Sequence, residues 1–586
     1  MNYNLNEISA QQQKASTLSI LKKLLLLIKE ERKNLLLAFL AILTNSGLNL
    51  MSPFIIGYTI DTYVVHKNYH GVLLYSGLLV CMALLAFGAS YTQTRMMGGV
   101  GQRMLYKLRN TVFNKLQELP VAFFNQNKAG DLISRINNDT DKINQFFSQS
   151  LMQFIGTLAT MTGAGIFLLA INIRLGIAAL IPGLMILIFT KLTSQWVKKK
   201  NAASLKTTGG LSAEIQESLN NFKVIIAFNR RDYFKKRFEE INNKNYDSAK
   251  AAGIANNMFI PIYGFFASTA QLIVLTVGIY LISTGQFTIG LLVSYLAYAT
   301  NFYNPLRQLA ALWANFQVAM AGSDRISHIL NMESNLPVIE DDGRQKSSSL
   351  LEFRNVHFGY EGGTEILHNI NFNLERGKTY ALVGPTGGGK TTTASLIARL
   401  YDPVKGQVLL NGKDIRSYAP GDRTKKIGFI LQEPFLFTGT VRDNILYGNE
   451  KYKDYSNAQL EEVINNANLQ SLLAIFEKGL DTEVTSGGES ISLGQKQLIA
   501  FMRAVLRNPD LLILDEATAN IDTITEQILQ DILNKLPEET TRVIIAHRLN
   551  TIQNADEIFF VNAGEVIRAG SFDHAVDMLL QGKRAS

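Results

Sequence analysis

Residues 251–306 run for 56 positions without a single Asp, Glu, Lys or Arg. That is too much uncharged chain for the core of one small soluble domain. At roughly 20 apolar helical residues per crossing of a ~30 Å hydrocarbon core, it is enough for two membrane spans. The polar break Ser283-Thr284-Gly285-Gln286 divides the run. Charge-free stretches of crossing length also occupy residues 34–60, 68–94 and 143–173, with a shorter one at 175–190. The pattern predicts six spans, and an even number of crossings returns both termini to one side.

Charge is divided as unevenly as hydropathy. Residues 1–350 carry 33 Lys and Arg against 19 Asp and Glu, whereas residues 351–586 carry 24 against 30. The net +8 of the chain thus belongs to its first part, which points to a membrane surface and away from nucleic acid. The basic residues sit mainly in loops 95–142 and 191–250, while the opposite connections hold only Lys67 and Arg174. The positive-inside bias makes the basic loops cytoplasmic, and with them both termini and everything after residue 350. Helical spacing at 99–119 and 211–250, poor in Gly and Pro, predicts that membrane helices extend into the cytosol. The leucines and lysines of 18–28 suit an interfacial helix, and no small-residue cleavage site follows them. Cys81, the one cysteine, excludes an internal disulfide framework and a cysteine metal cluster.

A polar stretch at 331–350 reads as a linker, and the pattern beyond it is rich in strands. Tyr380-Ala381-Leu382-Val383 is followed by Gly384-Pro385-Thr386-Gly387-Gly388-Gly389-Lys390-Thr391-Thr392 and then an apolar helical run. Strand, glycine loop and helix in that order form a phosphate cradle, in which backbone N–H groups and a helix N-terminus face the anion. Lys390 is placed to neutralise β- and γ-phosphate charge, and the Thr391 hydroxyl to ligate Mg²⁺. About 125 residues on, Leu511-Leu512-Ile513-Leu514 ends in Asp515-Glu516. A buried parallel strand delivers such carboxylates at its carboxyl end, Asp515 towards the Mg²⁺ shell and Glu516 towards the attacking water.

These motifs resemble the ATP-binding cassette exporters in which one six-helix membrane domain is fused to one cassette, and the resemblance covers nearly the whole chain. It implies a multidomain fold: an all-α transmembrane domain with long cytoplasmic helix extensions, then an α/β P-loop ATPase. The expected divisions are 1–33 for the cytoplasmic N-terminus, 34–330 for the membrane domain, 331–350 for the linker and 351–586 for the cassette. By resemblance Tyr360 stacks on adenine, and Gln432 joins the Mg²⁺ shell and senses the membrane domain. Thr386, Gly387, Gly388, Gly389 and Thr392 line the phosphates. Asp522 and His547 match the loop after the carboxylates and the switch histidine. Glu516, His547 and Gln432 make the catalytic set. Phe123, Phe124 and Asn125, and Phe228 and Arg230, resemble the two coupling helices that press on the cassettes.

One position departs from the family. The signature Leu-Ser-Gly-Gly-Gln appears as Ile491-Ser492-Leu493-Gly494-Gln495, and Thr485-Ser486 stands where Gly-Glu is usual. In the family this loop contacts ATP bound to the other cassette of a head-to-tail dimer. Ser492, Gly494 and Gln495 are then offered to the partner's nucleotide, with Leu493 bulky where the backbone needs close approach. The residues acting on the chain's own ATP follow the family pattern. The resemblance therefore implies the catalytically competent half of a heterodimeric multidrug exporter in the cell membrane. Tyr295, Tyr298, Phe302 and Tyr303 of the sixth span offer either an aromatic cavity for amphipathic compounds or helix packing. A homodimeric lipid flippase or exporter, or a regulatory membrane ATPase without transport, are the alternatives.

Overall fold

A computed structural model describes residues 3–5, 29–334, 336–340, 343, 349–360, 363–485, 491–515, 523–545, 553–570 and 572–581. The chain divides into two compact units. One holds most of the membrane helices; the other holds the cassette, together with residues 118–128 and the N-terminal residues 3–5. The interfacial helix expected at 18–28 lies outside the described residues.

The membrane unit is built from α1 (Arg32–Thr59), α2 (Tyr69–Glu118), α4 (Ala129–Ile171), α5 (Ile173–Asn220), α7 (Arg231–Ser283) and α8 (Ile289–Leu330). Two short helices, α3 (Val121–Gln126) and α6 (Phe222–Ala227), occupy the turns. Among the described residues five helices are long and apolar enough to cross a membrane: α1 with the π turn that follows it, α2, α4, α5 and α7. The sixth expected span forms α8, which is as long but carries Tyr295, Tyr298, Asn301, Tyr303 and Asn304 within its first half. At 1.5 Å per residue the 50 residues of α2 reach about 75 Å, far beyond the hydrocarbon core, so the membrane helices do extend past it. Only 6% of its apolar span is buried, leaving that face for lipid or a second subunit.

Without water to satisfy them, polar groups inside this bundle turn to the backbone. The hydroxyls of Tyr295, Tyr298 and Tyr303 donate to Leu168 O (2.5 Å), Leu50 O (2.7 Å) and Ala179 O (2.6 Å), on α4, α1 and α5. All three side chains are buried. Of the two roles left open for these tyrosines, the structure gives them packing: their hydroxyls pin α8 to three other helices. Beside them α1 and α8 cross at glycines. A Cβ on Gly57 would stand 2.0 Å from Ser294 Oγ, and one on Gly290 2.0 Å from Gly57 O, so only glycine permits this approach.

The cassette begins with β1 (Leu351–Phe358), β2 (Leu367–Leu374) and β3 (Thr379–Val383), then α9 (Lys390–Ile397), β4 (Lys405–Leu410), β5 (Lys413–Asp414) and β6 (Ile427–Ile430). After the short β7 (Gly439–Thr440) come α10 (Val441–Ile445), α11 (Asn457–Asn466), β8 (Glu483–Val484), α12 (Leu493–Val505), β9 (Leu511–Asp515) and α13 (Thr523–Lys535). The last elements are β10 (Thr541–Ile545), β11 (Glu557–Asn562), β12 (Glu565–Gly570) and α14 (Phe572–Gln581). An antiparallel sheet runs β2-β1-β4-β5, and a second runs β12-β11-β3-β10-β9-β6, parallel from β11 to β6. Every residue of β3 and β9 is buried, as expected of parallel strands covered on both faces. Along β3 the faces alternate: Tyr380 and Leu382 join Phe353 and Ile370 on the side of the antiparallel sheet, while Ala381 and Val383 join Leu498 and Phe501 on the other.

Candidate nucleotide site

Parallel strands put their carboxyl ends on one edge, and the candidate residues are gathered there. The order β3-β10-β9-β6 brings together the glycine loop leaving β3, Asp515 at the end of β9 and Gln432 two residues after β6. Between them β10 stops at Ile545, paired with Asp515. Glu516, Asp522 and His547 lie outside the described residues.

The loop can turn only because of its glycines. Gly384 has φ 145°, and a Cβ there would fall 2.0 Å from Val561 O at the end of β11; Gly389, at φ 112°, begins α9. Thr386 and Gly387 are exposed at the lip, and Gly388, Lys390 and Thr392 are buried beneath it. The Lys390 ammonium, 4% exposed, donates to Gly384 O (2.9 Å) and Pro385 O (3.0 Å). A buried cation held on two loop carbonyls at the start of α9 is suited to a polyphosphate. Thr391 Oγ1 lies 3.4 Å from Asp515 Oδ1, joining a hydroxyl to a buried carboxylate across the two strand ends. That donor set is all oxygen, which is the chemistry Mg²⁺ prefers.

Above the loop stands Tyr360. Its ring meets Phe358 and Tyr401 edge-on at 5.0 and 5.2 Å, its hydroxyl lies 3.3 Å from Thr392 Oγ1, and 38% of it remains exposed for a flat base. Tyr401 was not picked out by its sequence, since an aromatic after a P-loop helix carries no signal of its own. It touches Tyr360 on one side and accepts a 2.7 Å hydrogen bond from Asn125 Nδ2 of α3 on the other. Burial pushes the Tyr401 hydroxyl above its usual pKa, so it stays protonated at neutral pH. Phe123 is buried in the same unit and Phe124 is half exposed. Phe228, 75% exposed, and Arg230 sit at the other turn, in the membrane unit.

The segment expected to face a partner's nucleotide starts α12. Ser492 caps it: its Oγ accepts from Gln495 N (3.2 Å) and its own N–H donates to Gln495 Oε1 (3.0 Å), a reciprocal capping box. Both the N–H and the Oγ of Ser492 are thus engaged by Gln495 in this structure. Leu493 is half-buried at the first helical position, with Gly494 after it.

The linker region is also more engaged than its polarity suggests. Ile339 N donates to Arg416 O (3.1 Å), and Arg399, 2% exposed and paired with Asp402 at 2.9 Å, donates to Pro337 O (2.6 Å).

Two family models match in tandem: ABC transporter transmembrane region over residues 35–306 and ABC transporter over residues 367–519. An uncharacterised ABC transporter ATP-binding protein of Bacillus subtilis, YfiC, is 33% identical over 96% of this chain and 92% of its own. A protein named ATP-dependent lipid A-core flippase, from Pectobacterium atrosepticum, is 30% identical over 95% of each chain. The probable multidrug resistance ABC transporter protein YheH of Bacillus subtilis is 29% identical over 87% of this chain and 75% of its own. The chain belongs to the ATP-binding cassette exporters with membrane domain and cassette fused. It is a multi-pass membrane protein that binds ATP, hydrolyses it in support of transport, and works as a dimer.

Proposed function

We propose that this chain is the catalytically competent half of a heterodimeric exporter that moves amphipathic or hydrophobic compounds out across the cell membrane, with both termini and the cassette in the cytoplasm. The observation that carries the reading is an asymmetry. Tyr360, Lys390, Thr391, Gln432 and Asp515 all keep the family pattern for the chain's own nucleotide, whereas the segment expected to face a partner has Leu493 in its signature. Such a chain supplies the working machinery of one composite site and the weakened signature of the other.

Thr391, Asp515 and Gln432 would hold Mg²⁺, which supplies charge neutralisation on the β- and γ-phosphates when bound. Tyr360 receives the adenine, and the amides and Lys390 hold the phosphates. Glu516 orients and polarises the attacking water; His547 places the γ-phosphate. ATP favours the closed cassette pair because it binds that state more tightly, and hydrolysis releases it. Asn125 of α3 on Tyr401, beside Tyr360, supports α3 as the element that carries closure to the membrane helices. Phe228 and Arg230, exposed at α6, would meet the partner's cassette.

The test is isolation of the chain from its native membrane. A stoichiometric second half-transporter bearing an intact glycine signature and lacking the catalytic carboxylate is expected; a homodimer with full ATPase activity overturns the heterodimer. The flippase-named relatives favour a second reading, export of a lipid, in which purified transporter would be stimulated by lipid and not by cationic dyes.

A further inference from the structure

We infer that Tyr3 is a positioning residue for coupling: residues 3–5 form a strap that fastens the end of α3 to the segment entering the cassette. The inference rests on the reading of α3 as a coupling element. Tyr3 and Leu5 are 1% and 3% exposed, values of a core, although they stand hundreds of residues away in sequence from the cassette they adjoin. Tyr3 N donates to Gln126 Oε1 (2.8 Å) and Leu5 N to Asn127 Oδ1 (3.1 Å), while Asn127 Nδ2 donates back to Tyr3 O (2.8 Å). The Asn127 amide thus holds the backbone on both sides of Asn4, giving and accepting one bond each. The same Nδ2 also donates to Phe123 O (2.8 Å), so the strap and the helix share one side chain.

The tyrosine ring adds two further ties. It stands edge-on to Phe123 at 6.3 Å, and Phe123 is fully buried. Its hydroxyl donates to Glu333 O (3.0 Å), on the segment that leaves α8 for the cassette. Helix α3 is therefore grasped on two sides, at Asn125 by Tyr401 and at Phe123, Gln126 and Asn127 by residues 3–5. A six-residue helix has too few turns to hold itself rigid, and a displacement imposed at Tyr401 is passed on only if its other side is held. The strap's bonds to Gln126, Asn127 and Glu333 and its ring contact with Phe123 involve no residue of the glycine loop, so removing them is expected to leave nucleotide binding alone.

The experiment uses the full-length transporter, as isolated, in lipid nanodiscs, with Tyr3→Ala, Tyr3→Phe and Asn127→Ala compared with Asn125→Ala. Hydrogen exchange is read at Val121–Gln126, and again in the membrane unit as the change produced by ATP plus vanadate. Tyr3→Ala and Asn127→Ala are expected to speed exchange in α3 at least tenfold and to reduce the vanadate-induced change at least threefold, with the KM for ATP unchanged. Tyr3→Phe, keeping the ring on Phe123 and losing the hydroxyl's bond to Glu333 O, is expected to fall between. Unchanged exchange in α3 overturns the strap. Faster exchange with a full vanadate-induced change, in a protein where Asn125→Ala abolishes that change, overturns its role in coupling. If Asn125→Ala also leaves the change intact, α3 is not a coupling element, and the inference falls with that reading.

Discussion

Lys390 shows what single residues contribute here. Its ammonium is buried and held on Gly384 O and Pro385 O, so in Lys390→Ala the loop loses the charge that faces phosphate. ATP affinity is expected to fall by about tenfold or more, one charge-assisted contact's worth, as read by titration with a fluorescent ATP analogue. Glu516→Gln is expected to keep ATP bound while steady-state hydrolysis drops by roughly 100-fold or more, the scale of losing a general base. Leu493 is legible in the sequence as a departure, but its surroundings are not. At the first position of α12 it takes an ordinary helical place, and in the proposed heterodimer its effect would fall on the partner's nucleotide. Leu493→Gly should therefore raise ATP turnover of the assembled transporter while costing this chain about 1 kcal/mol of helix stability. Unchanged turnover would mean that the leucine does not limit the second site.

Elements are held by contacts that no periodicity announces. The tyrosines of α8 could be assigned to packing or to a cavity from sequence alone, because an aromatic in a membrane helix suits both. Their hydroxyls on Leu168, Leu50 and Ala179 carbonyls assign them to packing. Tyr298→Phe, which leaves Leu50 O without its buried donor, is expected to lower stability by about 1–3 kcal/mol, seen as a lower melting temperature in detergent, with no change in which compounds stimulate hydrolysis. At the crossing of α1 and α8 a larger residue has nowhere to go. Gly57→Leu, with Cβ 2.0 Å from Ser294 Oγ and 2.5 Å from Gly290 O, is expected to abolish a monodisperse folded transporter in size-exclusion chromatography. Neither Gly57 nor Gly290 belongs to a recognisable motif, and the helices that meet there are separated by some 230 residues of chain.

At the scale of the molecule, the uneven charge and the uncharged runs separate a membrane part from an ATPase part before any motif is read. The long helices follow from the same periodicity, and the nucleotide residues from the loop and the carboxylate strand, since each is a local pattern of spacing and residue type. Orientation and partnership are whole-molecule properties, and fractionation tests them: protease added to right-side-out cells should spare residues after 350, and a tag on this chain should retrieve an unlike half-transporter. What the sequence by itself determined is what acts over a few residues: hydrophobic length, helical spacing, the glycine turn and the strand end. The tertiary structure alone decided which distant residues meet: Tyr3 on Phe123 and Glu333, Asn125 on Tyr401, the α8 tyrosines on three helices, and Gly57 against Gly290. These contacts depend on side-chain shape and unpaired backbone groups brought together by the packed chain, and a polar side chain's choice among carbonyls far away leaves no periodic trace in its own neighbourhood.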